Sequence, residues 1–140
     1  MHAMGWYTLV IAVLWVFITE IMFVSDFLAF TGQTYADYLA AYPVFAEFYI
    51  ITKKLVGIVM VIVALQILVI TRYGYEKGEK WSWVALLVLG GLLWGTLIGY
   101  RAYIGYLGGS TIAFIVGAAI YIFAMIIPAK EIWAGKVSKE

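Results

Sequence analysis

The chain has 140 residues, of which 66 % are hydrophobic and 12 % are charged, and its formal net charge is +1. This charged fraction is about half that of a usual soluble domain, and a soluble chain of this length has no core large enough to hide so much apolar surface. The composition therefore predicts an integral membrane protein with the lipid bilayer as a partner. A net charge near zero gives no reason to expect nucleic acid.

Residue types that carry much of protein chemistry are scarce. The chain has no cysteine, which excludes disulfides, thiolate nucleophiles and cysteine-held iron–sulfur clusters. Its single histidine is His2, so a haem held by two histidines or a histidine-rich metal site is not available inside this chain. We expect no catalytic residue, no metal and no cofactor held by this chain alone, which leaves a lipid or quinone at an interface. The absence of Asn and Cys fits a heat-adapted source.

Four apolar stretches fill most of the chain, at about residues 5–30, 44–72, 81–106 and 110–132. A hydrocarbon core of ~30 Å needs about 20 apolar residues per helix. The predicted fold is therefore all-α, a single domain over residues 1–140 that forms a four-transmembrane-helix bundle. The N-terminal apolar run has no Lys/Arg-rich start and exceeds the usual length for a signal peptide, so we expect the first span to remain in the mature protein.

The first span carries two carboxylates that lie unusually deep. On a straight helix Glu20 lies about 22 Å along the span, and Asp26 lies about 9 Å further towards the outer boundary. An unpaired carboxylate at such a depth costs several kcal/mol, so we expect at least one of the two to meet a cation from another helix. The candidate cations at the same end are Lys53, Lys54 and Arg101. We favour a structural clamp between helices over a proton relay, an ion or substrate site, or a contact with another subunit.

An aromatic stripe separates the first two spans. Its members recur at steps of three and four residues, which places them on one helical face. They are Tyr35, Tyr38, Tyr42, Phe45 and Tyr49. Pro43 disfavours helix at Tyr42, so we predict a short interfacial helix before Pro43 and a second helix that runs on into span two. We favour an interfacial belt for this stripe, with a lid over a ligand cavity and a partner contact as the alternatives.

Glycines repeat every fourth residue on the third span. Gly91, Gly95 and Gly99 form a G-x-x-x-G-x-x-x-G pattern, which lets another helix approach closely. We favour packing within this chain, with span four as the partner. A contact with a second chain is the alternative.

The positive charges predict the orientation. Arg72, Lys77, Lys80, Lys130, Lys136 and Lys139 lie on the side of the termini, against Lys53, Lys54 and Arg101 on the other. The positive-inside rule therefore places both termini in the cytoplasm, in the plasma membrane of a prokaryote.

The leading functional hypothesis is a non-catalytic accessory subunit of a larger membrane complex, respiratory or otherwise redox-active. It would supply helix packing and the walls of a lipid or quinone site to other membrane subunits. The alternative is a small homo-oligomeric transporter or channel that uses Glu20 as a membrane-embedded coupling carboxylate. A membrane enzyme would need a second catalytic group beside Glu20 or Asp26, and no such group is evident. A structural or coat protein is a further alternative.

Overall fold

The computed structural model describes residues 1–105 and 109–134, and every regular element within these ranges is helical. The seven α-helices are α1 (His2–Phe17), α2 (Thr19–Thr31), α3 (Tyr35–Ala41), α4 (Pro43–Tyr73), α5 (Lys80–Ile104), α6 (Gly109–Ile126) and α7 (Ala129–Ala134). A short 3-10 turn, Tyr75–Lys77, connects α4 to α5. The predicted all-α architecture is confirmed.

Three helical segments are long and apolar enough to cross a membrane: α4 with the turn after it, α5, and Thr111–Ala134, which comprises most of α6 together with α7. A fourth candidate exists only if α1 and α2 together count as one span, because they meet at an angle of 83°. These helices are consistent with a membrane protein. The predicted end of span three at residue 106, and Lys136 and Lys139 of the tail, lie outside the described residues.

The straight first span assumed over residues 5–30 is not observed. The helix breaks at Ile18, whose backbone lies outside the helical region at φ −118° and ψ 34°. Directly after it, the Thr19 hydroxyl donates to the carbonyl oxygen of Trp15 at 2.5 Å and lies 3.2 Å from that of Val16. A threonine that bonds back to the preceding turn favours a bend, but Thr8 and Thr52 make the same bond within unbroken helices, so Thr19 alone does not produce the break. The helical distances computed from a straight span therefore do not apply to Glu20 and Asp26.

Contacts between elements fix the two ends of the bundle. At one end, His2 Nε2 lies 2.7 Å from the Glu76 carboxylate, and the indole of Trp83 donates to the Met125 carbonyl at 3.1 Å. The start of α1, the α4–α5 connection and the end of α6 therefore meet there. At the opposite end α2 leaves the axis of α1 and contacts both α4 and α5. We call this opposite end the α2 end.

The short helix predicted before Pro43 is α3. Its N-cap is Thr34, whose hydroxyl accepts the backbone N–H of Asp37 at 3.1 Å, which satisfies a donor that the first turn leaves free. It ends at Ala41 with the non-helical Tyr42 as its C-cap, and Pro43 opens α4 at a position where the missing N–H costs nothing.

The contact between α5 and α6 uses two glycines. A Cβ added to Gly117 would lie 2.0 Å from Cη2 of Trp94, and one added to Gly90 would lie 2.3 Å from Cε2 of Tyr121. The Tyr121 hydroxyl also donates to the Leu87 carbonyl at 2.8 Å. Two large aromatic side chains therefore fit against the partner helix only because these positions have no side chain.

The predicted glycine face does not form this contact. A Cβ at Gly91 would meet only the Tyr121 hydroxyl oxygen, at 3.6 Å, and one at Gly95 or Gly99 would meet no described atom within 4 Å. The packing glycine is Gly90, one residue earlier in the chain. Because one residue turns a helix by ~100°, the face that carries Gly91, Gly95 and Gly99 points away from α6, whereas Gly90 faces it.

Gly117→Ala is expected to destabilise the protein, because the added methyl group must displace the buried Trp94 ring. Overpacking of this kind costs about 1–3 kcal/mol. The control is Gly99→Ala, where the methyl group has open space. Thermal unfolding of both variants in detergent, followed by circular dichroism, should show a lower midpoint for Gly117→Ala alone. Equal midpoints would contradict the close approach of α5 and α6.

Candidate functional site

An ion pair between α2 and α5 forms the centre of the candidate site. Nη1 of Arg101 donates to Oδ1 of Asp26, and the two side chains are only 3 % and 1 % exposed. The 83° bend makes this contact, since α2 then lies against the end of α5. Among the acid and cation combinations open to the sequence, the structure brings together Asp26 and Arg101.

The ion pair leaves part of its hydrogen-bonding capacity unused. Among the described residues, Asp26 Oδ2 and both Arg101 Nε and Nη2 have no partner. The guanidinium carbon of Arg101 lies 4.9 Å from the ring centroid of Phe114, which supplies a cation–π contact. Buried polar atoms are nearly always hydrogen-bonded in native proteins, so these three atoms mark the ion pair as a place where polar groups still lack partners.

Lys53 on α4 brings a second cation to the same place. Its ammonium group donates to the Tyr100 hydroxyl oxygen and lies 4.3 Å from the centroid of that ring. The rings of Phe23 and Tyr49 lie 5.0 and 5.3 Å from the same nitrogen. These three rings stabilise the ammonium group by cation–π attraction and hold it in one position.

A cavity of about 340 Å³ opens between α2, α4 and α5 beside these groups. Five aromatic side chains supply most of its wall, and two charged side chains lie beside Thr31 and Ile104 in the rest of it. The aromatic residues are Phe27, Phe30, Tyr49, Tyr100 and Tyr103, and the charged ones are Asp26 and Lys53. An apolar cavity of this size with a few convergent polar groups is typical of a small-molecule site. We call it the aromatic cavity.

The predicted aromatic stripe divides into two parts. The ring of Phe27 on α2 lies 5.6, 5.0 and 5.3 Å from the rings of Tyr35, Tyr38 and Tyr49. By contrast, Tyr42 and Phe45 are exposed, at 55 % and 64 %. The division follows from the non-helical backbone of Tyr42, which interrupts the periodicity on which the stripe was based. Three members of the stripe therefore support Phe27, which in turn lines the aromatic cavity.

Glu20 and Lys54 lie elsewhere at the α2 end. Both are exposed, and they share a groove of about 410 Å³ with Glu47 and Tyr35. Within the described residues, neither Glu20 nor Lys54 takes part in an ion pair. Burial, helped by the negative charges of Glu20 and Glu47, raises the pKa of Tyr35. The five predicted polar residues thus form two separate groups: buried Asp26 and Arg101 with half-buried Lys53, and exposed Glu20 and Lys54.

Sequence reasoning missed four of the aromatic wall residues: Phe27, Phe30, Tyr100 and Tyr103. A usable signal was present, because Tyr100 and Tyr103 flank Arg101 while Phe27 and Phe30 follow Asp26. Aromatic side chains clustered around each partner of an ion pair would have indicated the cavity wall.

Neither a metal site among the described residues nor a similarity to known proteins identifies what this site binds. Residues 1–105 and 109–134 contain no group of three or more His, Asp or Glu placed to hold a metal ion. No protein-family model matches the chain, and no curated protein or solved structure is significantly similar to it.

Asp26→Ala should strongly destabilise the protein, because it leaves the Arg101 guanidinium buried without a counter-charge. Removing one partner of a buried ion pair costs about 3–5 kcal/mol. The double variant Asp26→Leu/Arg101→Met, which removes both charges at similar volume, should regain most of the loss. Thermal unfolding in detergent measures both, with Arg72→Gln in the exposed Arg72–Glu76 pair as a control that changes little. A double variant no more stable than Asp26→Ala would contradict this account.

Proposed function

We propose that this protein is a non-catalytic accessory subunit of a larger membrane complex and that it binds an amphipathic bilayer molecule, a lipid or a quinone, in the aromatic cavity. The complex we favour is respiratory or otherwise redox-active. The observation that carries the proposal is a largely aromatic cavity whose wall includes Lys53 and the ion-paired Asp26. These groups suit a molecule that is mostly apolar and has a few oxygen atoms at one end.

The contacts of the charged groups favour binding over catalysis. Asp26 is held by Arg101, and Lys53 is held by the Tyr100 hydroxyl. A general acid or base must be free to exchange a proton with the reacting atom, and it usually works with a second group within hydrogen-bond reach. Groups fixed in this way are better suited to positioning a ligand than to exchanging protons with it.

The proposal includes an arrangement in the membrane. The whole chain forms one domain, in which α1, α4, α5 and the α6–α7 segment cross the bilayer and α3 lies at its surface. The α1 helix is about 24 Å long, and because α2 turns 83° away from it, α2 would lie nearly parallel to the bilayer plane at the outer boundary. Both termini would lie in the cytoplasm of a prokaryotic cell, a placement supported by the excess of Lys and Arg on their side. The exposed apolar faces of these helices would meet lipid or other subunits. A heat-adapted source stays a prediction.

Lys53→Met should weaken ligand binding while the adjacent Lys54→Met should not. A charge-assisted hydrogen bond is worth about 1.5–3 kcal/mol, which corresponds to roughly ten- to a hundredfold in affinity. The measurement is quenching of intrinsic fluorescence by a quinone added to the protein in nanodiscs, with native mass spectrometry to detect retained lipid. The two lysines are neighbours in sequence, but only Lys53 lines the aromatic cavity. Equal affinities for the two variants would reject the cavity as the site.

One observation favours a second candidate function, a homo-oligomeric transporter or channel that uses Glu20. Glu20 lies in the first turn of α2, directly after the helix break, and borders an exposed groove with Lys54. Interrupted helices whose free ends face a cavity form ion and substrate sites in many transporters.

If the protein is a transporter or channel coupled through Glu20, Glu20→Gln should abolish proton-coupled flux in proteoliposomes and leave expression and thermal stability unchanged. Glu47→Gln, which removes the other carboxylate of the same groove, is the matched control and should keep the flux. A pH-sensitive dye inside the vesicles reports the movement of protons. If wild-type vesicles show no flux, or if both variants behave alike, Glu20 is not a coupling residue.

A further inference from the structure

The charges around the aromatic cavity do not cancel. Asp26 and Arg101 neutralise each other in their buried ion pair. Lys53 also lines the cavity, and in the described part of the chain no carboxylate pairs with its ammonium group. Glu20 lines the separate exposed groove together with Lys54. The aromatic cavity therefore has one uncompensated positive charge.

The aromatic rings around Lys53 restrict the ligand to an anion. Rings of this kind can bind the cationic head of a ligand, but here the rings of Phe23, Tyr49 and Tyr100 already contact the protein's own ammonium group. A second cation would meet the positive charge of Lys53. The ammonium group has three N–H donors, and the Tyr100 hydroxyl accepts only one of them. The others can bind a phosphate oxygen, a common partner of lysine.

Helix lengths place this charge at the depth of lipid phosphates in the proposed membrane arrangement. On α4, Lys53 lies about 28 Å along the helix from Arg72. On α5, Arg101 lies about 32 Å from Lys80. Both distances match a hydrocarbon core of ~30 Å. Lys53 and Arg101 would therefore lie where the hydrocarbon of the outer leaflet ends and the headgroups begin.

The cavity opens onto the surface that would meet lipid. Two of its wall residues, Phe30 and Tyr103, are exposed, and their rings lie 6.1 Å apart. A lipid head can reach Lys53 past these rings while its acyl chains stay in the bilayer. The Tyr103 side chain also carries a hydroxyl that can donate to a headgroup oxygen. A wall that is mostly aromatic suits a head with apolar chains better than it suits a free, fully hydrated phosphate ion.

We propose that the aromatic cavity binds the phosphate group of an anionic phospholipid from the outer leaflet, with Lys53 as its counter-charge. This inference rests on the proposed function and specifies the ligand class as a lipid. The uncompensated charge of Lys53 and the exposed aromatic mouth together assign the cavity this occupant.

The experiment measures lipid preference with the full chain in nanodiscs of phosphatidylcholine that contain a minor fraction of phosphatidylglycerol. Native mass spectrometry identifies the lipid that stays bound. Wild-type protein should prefer phosphatidylglycerol by about tenfold, because the choline cation of phosphatidylcholine lies close enough to be repelled by Lys53. Lys53→Met should remove this preference. Lys53→Arg, which keeps the charge, and Lys54→Met, which changes the neighbouring lysine, should both retain it.

A second pair of variants tests the same charge at an exposed position, where folding is not at risk. Tyr103 is 80 % exposed at the mouth of the cavity. Tyr103→Glu places a negative charge beside the bound head and should weaken the preference for phosphatidylglycerol several-fold. Tyr103→Gln removes the same ring without adding charge, and it should keep more of the preference than Tyr103→Glu.

The possible failures can be told apart. Equal binding of the two lipids by wild-type protein, or a preference that survives in both Lys53→Met and Tyr103→Glu, overturns the anionic-lipid assignment. If inorganic phosphate raises the unfolding midpoint in lipid-free detergent through Lys53 and displaces the lipid, the ligand is the free ion and the assignment is likewise wrong. If a quinone binds through Lys53 and the lipid does not, the ligand class is wrong and the proposed function stands. If neither lipid nor quinone binds in a Lys53-dependent manner, the proposed function itself is rejected.

Discussion

The buried Asp26–Arg101 ion pair is the interaction on which the α2 end of the molecule depends. Taking two charges out of water costs several kcal/mol per ion, and only close pairing between them can offset that cost. Arg101 also lies in the last turn of α5, where a positive charge interacts favourably with the helix dipole. Moving α2 away would leave a bare guanidinium among aromatic rings. The ion pair therefore holds α2 against α4 and α5, and the aromatic cavity exists only while α2 lies there.

The bend before α2 and the ion pair require each other. The break at Ile18 costs at least one regular backbone hydrogen bond, and the Thr19 hydroxyl compensates only part of it. Inside the bend the rings of Trp15 and Phe23 lie 4.5 Å apart, and Phe23 also contacts the Lys53 ammonium group. This aromatic contact joins the end of α1 to the cavity. A straight helix would separate the two rings and carry Asp26 out of reach of α5.

Much of the fold was predictable from local patterns, whereas the details of the site depended on tertiary contacts. Apolar length predicted the long helices, and Pro43 predicted the boundary between α3 and α4. The break at Ile18 was not predictable in this way, because no glycine or proline marks it and threonines with the same hydrogen bond as Thr19 lie within unbroken helices. The glycine repeat likewise indicated close packing on α5, but its register relative to α6 is decided by Tyr121 and Trp94, which meet Gly90 and Gly117.

The two acids and the two lysines at the α2 end show why charge at a given depth does not define a role. Lys53 and Lys54 are neighbours, yet one full step of ~100° around α4 separates the aromatic cavity from the exposed groove. Asp26 and Glu20 lie six residues apart on α2, and only Asp26 faces α5. The exposed pair can interact with water or headgroups and needs no partner. Asp26 is buried and needs its partner Arg101, and Lys53 is half-buried on the wall of the aromatic cavity, so this cavity is the stronger place to expect a ligand.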